Sequence, residues 1–402
     1  MTLDALQQPA PNHELVLAQR TVAEFFSGIG LMRMGLERQG WSVRFANDID
    51  PQKAALYRGQ FSGSDQHLVV RDVHRLSVEE VPRVTLATAS FPCNDLSLAG
   101  ARGGLEGKHS SAFWGLIRLL GEMAENRPPL VLLENVPGFL TSHDGRDFKD
   151  ALLALSSLGY AVDAFVLDAA RFVPQSRARL FIVGILEPLT HKLSSPEPSL
   201  FCESPMRPRA LANFVIQHPE IRWSLRRLPV PPTHERSLKS VLDKLPDDAP
   251  EWWSRDRAEY LYNQLSPRHK EIADEMISGH NWAYGTVFRR IRNSKSMAEL
   301  RTDGIAGCLR TPRGGSARQI LFKAGKGAYF ARLLTPRECA RLMGADDFHI
   351  GEKVQPNQAL FGFGDAVCVP VVEWIAQHYL NPVISEALRN RPLSLKSVPV
   401  SA

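Results

Sequence analysis

The chain has 402 residues, of which 44% are hydrophobic and 23% charged, a balance that excludes a disordered polymer and leaves room for two domains or one enlarged domain. No apolar run reaches the roughly 18 residues of a membrane span. The cysteines Cys93, Cys202, Cys308, Cys339 and Cys368 are scattered without a CxxC pair, so neither a disulfide framework nor a zinc site is supported and no metal is expected. A formal net charge of +5 is too small to name a partner.

Residues 1–20 read as a loose leader without the charged start and apolar centre of a signal peptide, and reduced thiols and a cytoplasmic location are expected. From residue 21, strand-like runs (TVAEFF, WSVRFAND, HLVVRDV, RVTLATASF, PLVLLENV, YAVDAFVLDA, RLFIVGIL) alternate with helical patterns such as SAFWGLIRLLGEMAEN and FKDALLALSSLG, whose apolar residues recur every three or four positions. Such alternation predicts an α/β fold over 21–186, with a mixed, mostly parallel sheet covered on both faces and its site at the carboxyl ends of the strands. After 186 the texture changes: SSPEPS, MRPRA, LPVPPTHER and PDDAPEWW are proline-rich. A second, smaller, irregular domain is expected over 187–330. RLLTPRECARLMG and GDAVCVPVVEWIAQHYL then restore helices over 331–380, a segment expected to complete the first domain. Residues 381–402 read as a tail.

The strand ends carry the chemistry. FFSGIG (25–30) places Gly28 and Gly30 where a backbone can approach a ligand at a helix N-terminus. NDID ends the second strand with Asp48, and RDV the third with Asp72. Glycine and two acids on successive strand ends suit a nucleoside, Asp48 holding ribose hydroxyls, although a helix cap explains Asp48 equally well and a full GxGxxG is missing. SFPCNDLSLAG follows the fourth strand, and Cys93 in it can be read as a buried thiol, a metal ligand or a nucleophile. Glu134 and Asn135 end the apolar run of PLVLLENV, where an acid needs a partner or a task. VPQSRARL sets Gln175, Arg177 and Arg179 before the last strand, with the two arginines on one face of an extended segment.

The ordered set FSGIG, NDIDP, SFPCN, LLENV, QSRAR, RECARLMG and GDAVCVPV resembles the DNA (cytosine-5)-methyltransferase family over roughly 21–186 and 331–380. The resemblance implies a Rossmann-like methyltransferase fold and S-adenosyl-L-methionine as cofactor, with S-adenosyl-L-homocysteine as product and no metal. It makes Cys93 the nucleophile that adds to cytosine C6. Glu134 becomes the acid that binds the base at N3 and N4. Arg179 is expected near the base's O2, and Arg177 as support of the catalytic loop. For the cofactor it implies Phe26, Gly28, Ile29, Gly30, Asp48, Ile49, Asp72, Val73 and Pro92, and in the last motif Asp365, Ala366 and Val367. Departures stand beside these matches. Asn94 follows the cysteine where many members have Gln, Asp365 replaces Asn, and LEGKHSSAFW replaces the usual SRGxLF-like segment, which leaves the role of Ala112 open.

A base that must reach Cys93 has to leave the duplex, so the region 187–330 is expected to hold double-stranded DNA as a target-recognition domain. Residues 281–330 contain ten basic and two acidic residues, a net of about +8, the scale of a phosphate-binding surface. Within GIAGCLRTPRGGSARQI, Arg310, Arg313, Arg318 and Gln319 are expected DNA contacts, joined by Asn94 and Ser97 of the catalytic loop. RTPRGGSARQ resembles methyltransferases of DISARM-type phage defence, and a role in restriction–modification or antiviral defence follows, with a monomer and functional association with restriction or defence proteins expected. Two alternatives stay open: a tRNA cytosine C5 methyltransferase, and a catalytically silent DNA-binding regulator.

Overall fold

The computed structural model describes residues 13–92, 111–190, 197–292, 295–311, 318–352 and 354–389. Strands β1 (Thr21–Phe25), β2 (Ser42–Asp48), β3 (Leu68–Val70), β4 (Leu86–Ala89), β5 (Leu130–Asn135), β6 (Tyr160–Asp168) and β7 (Ala178–Leu186) form one sheet in the order β3-β2-β1-β4-β5-β7-β6. The first five pair in parallel, while β7 runs antiparallel between β5 and β6, so the expected mixed, mostly parallel sheet is present. Successive strand residues face opposite sides. Leu130 and Leu132 of β5 enter one apolar core, and Val131 and Leu133 enter the other. Helices Leu31–Glu37, Pro51–Gln60 and Val369–Ile375 cover the first face. Helices Ser111–Glu122, Arg146–Ser157 and Arg209–Gln217 cover the second. With both faces covered, β5 can be buried at every position, which is why it reads as a continuous apolar run.

The strand order reverses between β1 and β4, and ligands of open α/β sheets bind in the crevice outside the carboxyl ends at such a point. The loops leaving β1 and β4 are FSGIG and SFPC, the two that the sequence singled out.

A second sheet has the order β11-β10-β8-β9, all antiparallel, from β8 (Ala283–Arg292), β9 (Lys295–Arg301), β10 (Ile320–Gly325) and β11 (Ala328–Leu333). Helices Arg255–Asn263 and Pro267–Ser278 close its own small core around Leu261, Ala273, Val287 and Phe322.

Three expected boundaries shift. Residues 197–228 do not belong with the second sheet. Val162 and Val166 of β6 donate to Arg222 and Met206 carbonyls, and Leu211, Phe214 and Ile221 enter the second-face core, because β6 is an edge strand whose free N–H groups need partners. Strand β11 crosses the expected limit at 330. The leader and tail both contribute helices. His13–Gln19 buries Val16 and Leu17, and Asn381–Arg389 buries Val383, Ile384 and Ala387, with Trp41 Nε1 donating to Asn381 Oδ1 at 3.0 Å. The helical stretch 356–389 is long and apolar enough to span a bilayer by length and composition, but it is mostly buried; its apolar side chains fill the core.

Candidate active site

The loop after β1 turns through three left-handed residues, Phe26 (φ 55°), Gly28 (φ 57°) and Gly30 (φ 85°). A Cβ on Gly28 would meet nothing within 4 Å, whereas one on Gly30 would lie 2.3 Å from the Phe61 ring. Gly28 therefore leaves space open above the loop, and Gly30 lets the helix behind it pack. Asp48 ties this loop to the end of β2, accepting from Gly28 N at 2.8 Å and from Asp50 N at 2.8 Å. Burial pushes its carboxyl above the ordinary carboxylate range, while Lys53 and the two backbone donors pull it back. The helix cap considered for Asp48 belongs to Asp50, which accepts from Gln52 N and Lys53 N.

Ile49, next along, is 64% exposed, a large apolar side chain left uncovered beside a buried acid. Asp72 caps a short helical turn through His74 N. The Ser27 and Ser90 hydroxyls, in the loops leaving β1 and β4, are shielded from solvent and have no hydrogen-bond partner among the described residues. Open space over Gly28, a buried acid, an uncovered Ile49 and two orphaned hydroxyls fit a nucleoside with an apolar base face and polar ribose edge. Other expected cofactor residues turn elsewhere. The side chains of Ile29, Val73 and Val367 lie in the apolar cores, which leaves only their backbones for a ligand. Pro92, after β4, and Ala366, which caps the helix Pro356–Asp365, are half-buried. Asp365, the last residue of that helix, pairs with Lys53 at 2.6 Å, a partner that sequence reading missed because the two lie in helices far apart in the chain.

Glu134 is 6% exposed at the carboxyl end of β5. It pairs in the ladder with Phe181, and Asn135 with Leu180, which brings Arg179 alongside. Arg179 Nε lies 2.9 Å from Glu134 Oε1, and its Nη1 donates to the Ala178 carbonyl. Asn135 Nδ2 donates to the Phe91 carbonyl at 3.3 Å, fixing the chain two residues before Cys93. Cys93, Asn94, Ser97 and Arg313 lie outside the described residues.

Arg177 meets other partners than its place beside Arg179 suggests: its guanidinium is buried and donates to the carbonyls of Leu309, Gly364 and Ala366. Beside it Gln175 accepts from Leu309 N and donates to Leu342 O. The QSRAR segment therefore fastens the return segment and the strand-entry loop of the second domain to the first. Both arginines reach one thiol: Arg177 Nη1 lies 3.3 Å and Arg179 Nη2 4.0 Å from Cys308 Sγ. Burial works to raise this thiol's pKa, but Arg177, Arg179 and Arg310 more than offset it and hold the group below its ordinary value. Nothing in the sequence marked Cys308, which stood among five dispersed cysteines.

The expectation for Gln319 is corrected. It is buried, packing over Gly307, where a Cβ would come within 2.7 Å of its Oε1, and its Nε2 lies 3.4 Å from the Cys308 carbonyl. It braces the loop instead of facing a groove. Arg310 is exposed and Arg318 half-buried. The basic surface is also smaller than counting implied. Lys323 is 6% exposed among the rings of Trp252, Trp282 and Phe330, and Arg301 is neutralised by both oxygens of Asp303.

The chain matches the C-5 cytosine-specific DNA methylase family over residues 20–381. It is similar to the type II methyltransferase M.Bsp6I of Bacillus sp. (strain RFL6), 27% identical over 89% of this chain and 97% of the relative. A second relative is the type II methyltransferase M.DsaV of Dactylococcopsis salina, 27% identical over 89% and 85%. Among solved structures it shares its fold with the Dnmt2 methyltransferase of S. pombe, at 17% identity and a TM-score of 0.59 over 90% of this chain and 98% of that one. The Entamoeba histolytica methyltransferase EhMeth is comparable, at 15% identity and 0.57 over 90% and 98%. Because the family match takes in the seven-stranded sheet, the second sheet and the return segment alike, the chain belongs to the C-5 cytosine-specific DNA methylase family and is an enzyme of that class.

Proposed function

We propose that the protein methylates C5 of a cytosine flipped out of a specific double-stranded DNA sequence, with S-adenosyl-L-methionine as methyl donor. The observation that carries this reading is the Glu134–Arg179 pair at the carboxyl ends of β5 and β7, beside the chain that leads through Phe91 and Pro92 to Cys93. When bound, the cofactor supplies an electrophilic methyl group on a sulfonium. Asp48 and the backbone around Gly28 would hold its ribose and amino-acid ends, and Ile49 one face of the adenine.

The Cys93 thiolate adds to C6 of the flipped base, and the ring's electrons move toward C5, which becomes the nucleophile. Cytosine C5 alone is too weak a nucleophile for this. Glu134, held in place by Arg179, hydrogen-bonds the N3 and N4 edge and draws charge from the ring as the thiolate adds. Once C5 bears the methyl group, loss of its proton to a base reforms the C5–C6 double bond and expels the Cys93 thiolate. Arg310, Arg313 and Arg318 hold phosphates or bases of the flanking duplex, and Asn94 and Ser97 contact the DNA from the loop. The biological role is protection of host DNA in a restriction–modification or antiviral defence setting, in the cytoplasm.

The test is transfer of labelled methyl groups to duplex DNA and to tRNA, with base-resolution sequencing of DNA from cells expressing the protein. Label at cytosine C5 of one recurrent DNA sequence is expected. Label in tRNA alone overturns the DNA reading, and label in neither overturns the assignment of activity.

A further inference from the structure

Lys53 stands in the first turn of the helix that follows β2, with its Nζ 2.6 Å from Asp365 Oδ2. The pair joins helix Pro51–Gln60, which follows β2, to helix Pro356–Asp365 of the return segment. Gln358 Nε2 donates to the Gln52 carbonyl at 3.0 Å and ties the same two helices. Asp50, Gln52, Lys53, Gln358 and Phe361 line an open cleft between them. The Lys53 side chain is 21% exposed and that of Asp365 43%. Lys53 is also within electrostatic reach of Asp48 and Asp50. Burial acts to lower its pKa, but Asp365, Asp48 and Asp50 outweigh burial and keep the ammonium charged. One cation therefore answers three carboxylates, and the one it bonds directly belongs to the return segment.

S-adenosylmethionine and its product both carry a carboxylate on their amino-acid end. The resemblance assigns Asp365 to the cofactor site, and an unneutralised carboxylate there would repel the cofactor's own if the amino-acid end is seated at this edge. We propose that Lys53 is a positioning residue for the cofactor, acting through Asp365: it neutralises that carboxylate and holds it against the crevice wall, so that the amino-acid end is accepted. The inference rests on the cofactor reading above. It makes Lys53 and Asp365 a compensated pair, in which losing the cation alone is harmful and losing both charges is tolerated.

The experiment uses the full chain as wild type, Lys53→Met, Lys53→Arg, Asp365→Asn and the double variant Lys53→Met/Asp365→Asn. S-adenosylhomocysteine binding is measured by calorimetry, together with KM for S-adenosylmethionine, kcat and the ligand-free melting temperature. Lys53→Met should weaken product binding and raise KM by about five- to tenfold, the scale of a lost partly exposed charge pair plus the repulsion it leaves. Its kcat should stay within about twofold of wild type, because the pair makes no transition-state contact. Lys53→Arg should bind like wild type, Asp365→Asn, which restores the residue many family members have, should bind at least as tightly, and the double variant should recover the affinity that Lys53→Met loses. A purely structural tie would give a double variant as weak as Lys53→Met, with a lowered melting temperature in all three charge-removing variants; that result overturns the proposal. So does a Lys53→Met protein that binds like wild type. Failure of wild type itself to bind S-adenosylhomocysteine overturns the cofactor reading, and is distinct from a wild type that binds while the variants show no compensation.

Discussion

Replacing Arg177 by methionine removes a guanidinium that joins three segments of chain while keeping most of the side chain's length. Arg177 is 3% exposed and donates to the carbonyls of Leu309 at 2.8 Å, Gly364 at 3.1 Å and Ala366 at 2.6 Å. A hydrogen bond to a charged group contributes about 1.5–3 kcal/mol net, so the three together amount to roughly 5–9 kcal/mol. Releasing a buried cation from its desolvation penalty returns several kcal/mol. The remaining loss should be about 3 kcal/mol. Urea unfolding followed by tryptophan fluorescence measures it, and limited proteolysis asks whether the segment around Leu309 and the return segment loosen first. Arg177→Lys should fall between the two, because one ammonium cannot serve acceptors held by separate segments. An Arg177→Met protein within about 1 kcal/mol of wild type would refute the reasoning, since it would mean that the three carbonyls find water or other donors without cost.

The remaining tests concern the chemistry. Cys93→Ala should abolish methyl transfer while S-adenosylhomocysteine still binds by calorimetry, and retained turnover would remove Cys93 as nucleophile. Cys308, held below the ordinary thiol pKa by its three arginines, should have more thiolate at neutral pH than a free thiol and so react with iodoacetamide down to lower pH. Arg310→Ala should move that pH profile upward; mass spectrometry of the labelled peptide reads both, and an unmoved profile refutes the charge argument. Neutralising Arg310 and Arg313 together should reduce the slope of log K against log salt for DNA binding by about 2, and an unchanged slope would take both off the phosphate list.

Much of the fold was written in local sequence. Strands buried on both faces must be predominantly apolar, so β1, β4, β5 and β7 announced themselves despite buried polar residues such as Glu24, and the helices between them showed their three-and-four spacing. The strand-end motifs were legible for the same reason: a glycine loop, a strand-end acid and a cysteine after proline each have a local conformational or chemical signature, and Gly28, Asp48 and Glu134 do stand at the carboxyl edge of the sheet. Elements whose burial depends on distant partners were misread. The helices at 13–19 and 381–389 looked like loose ends because each is short and gains its stability from packing on the finished domain. Residues 197–228 looked like the second domain because prolines flank the one short helix Arg209–Gln217, and the rest, which completes an edge strand, carries no periodicity.

At the site, the amino-acid sequence by itself determined which residue types were present at the strand ends, since these follow from backbone geometry and the chemistry of a few neighbours. Only the tertiary structure decided their partners. It sent Arg177 into the seam between segments and Arg179 to Glu134, buried Gln319 against Gly307, surrounded the Cys308 thiol with arginines, and set Lys53 against Asp365. Hydrogen bonds and charge pairs act over a few ångströms in space whatever the separation along the chain, and that separation is what a linear reading cannot cross.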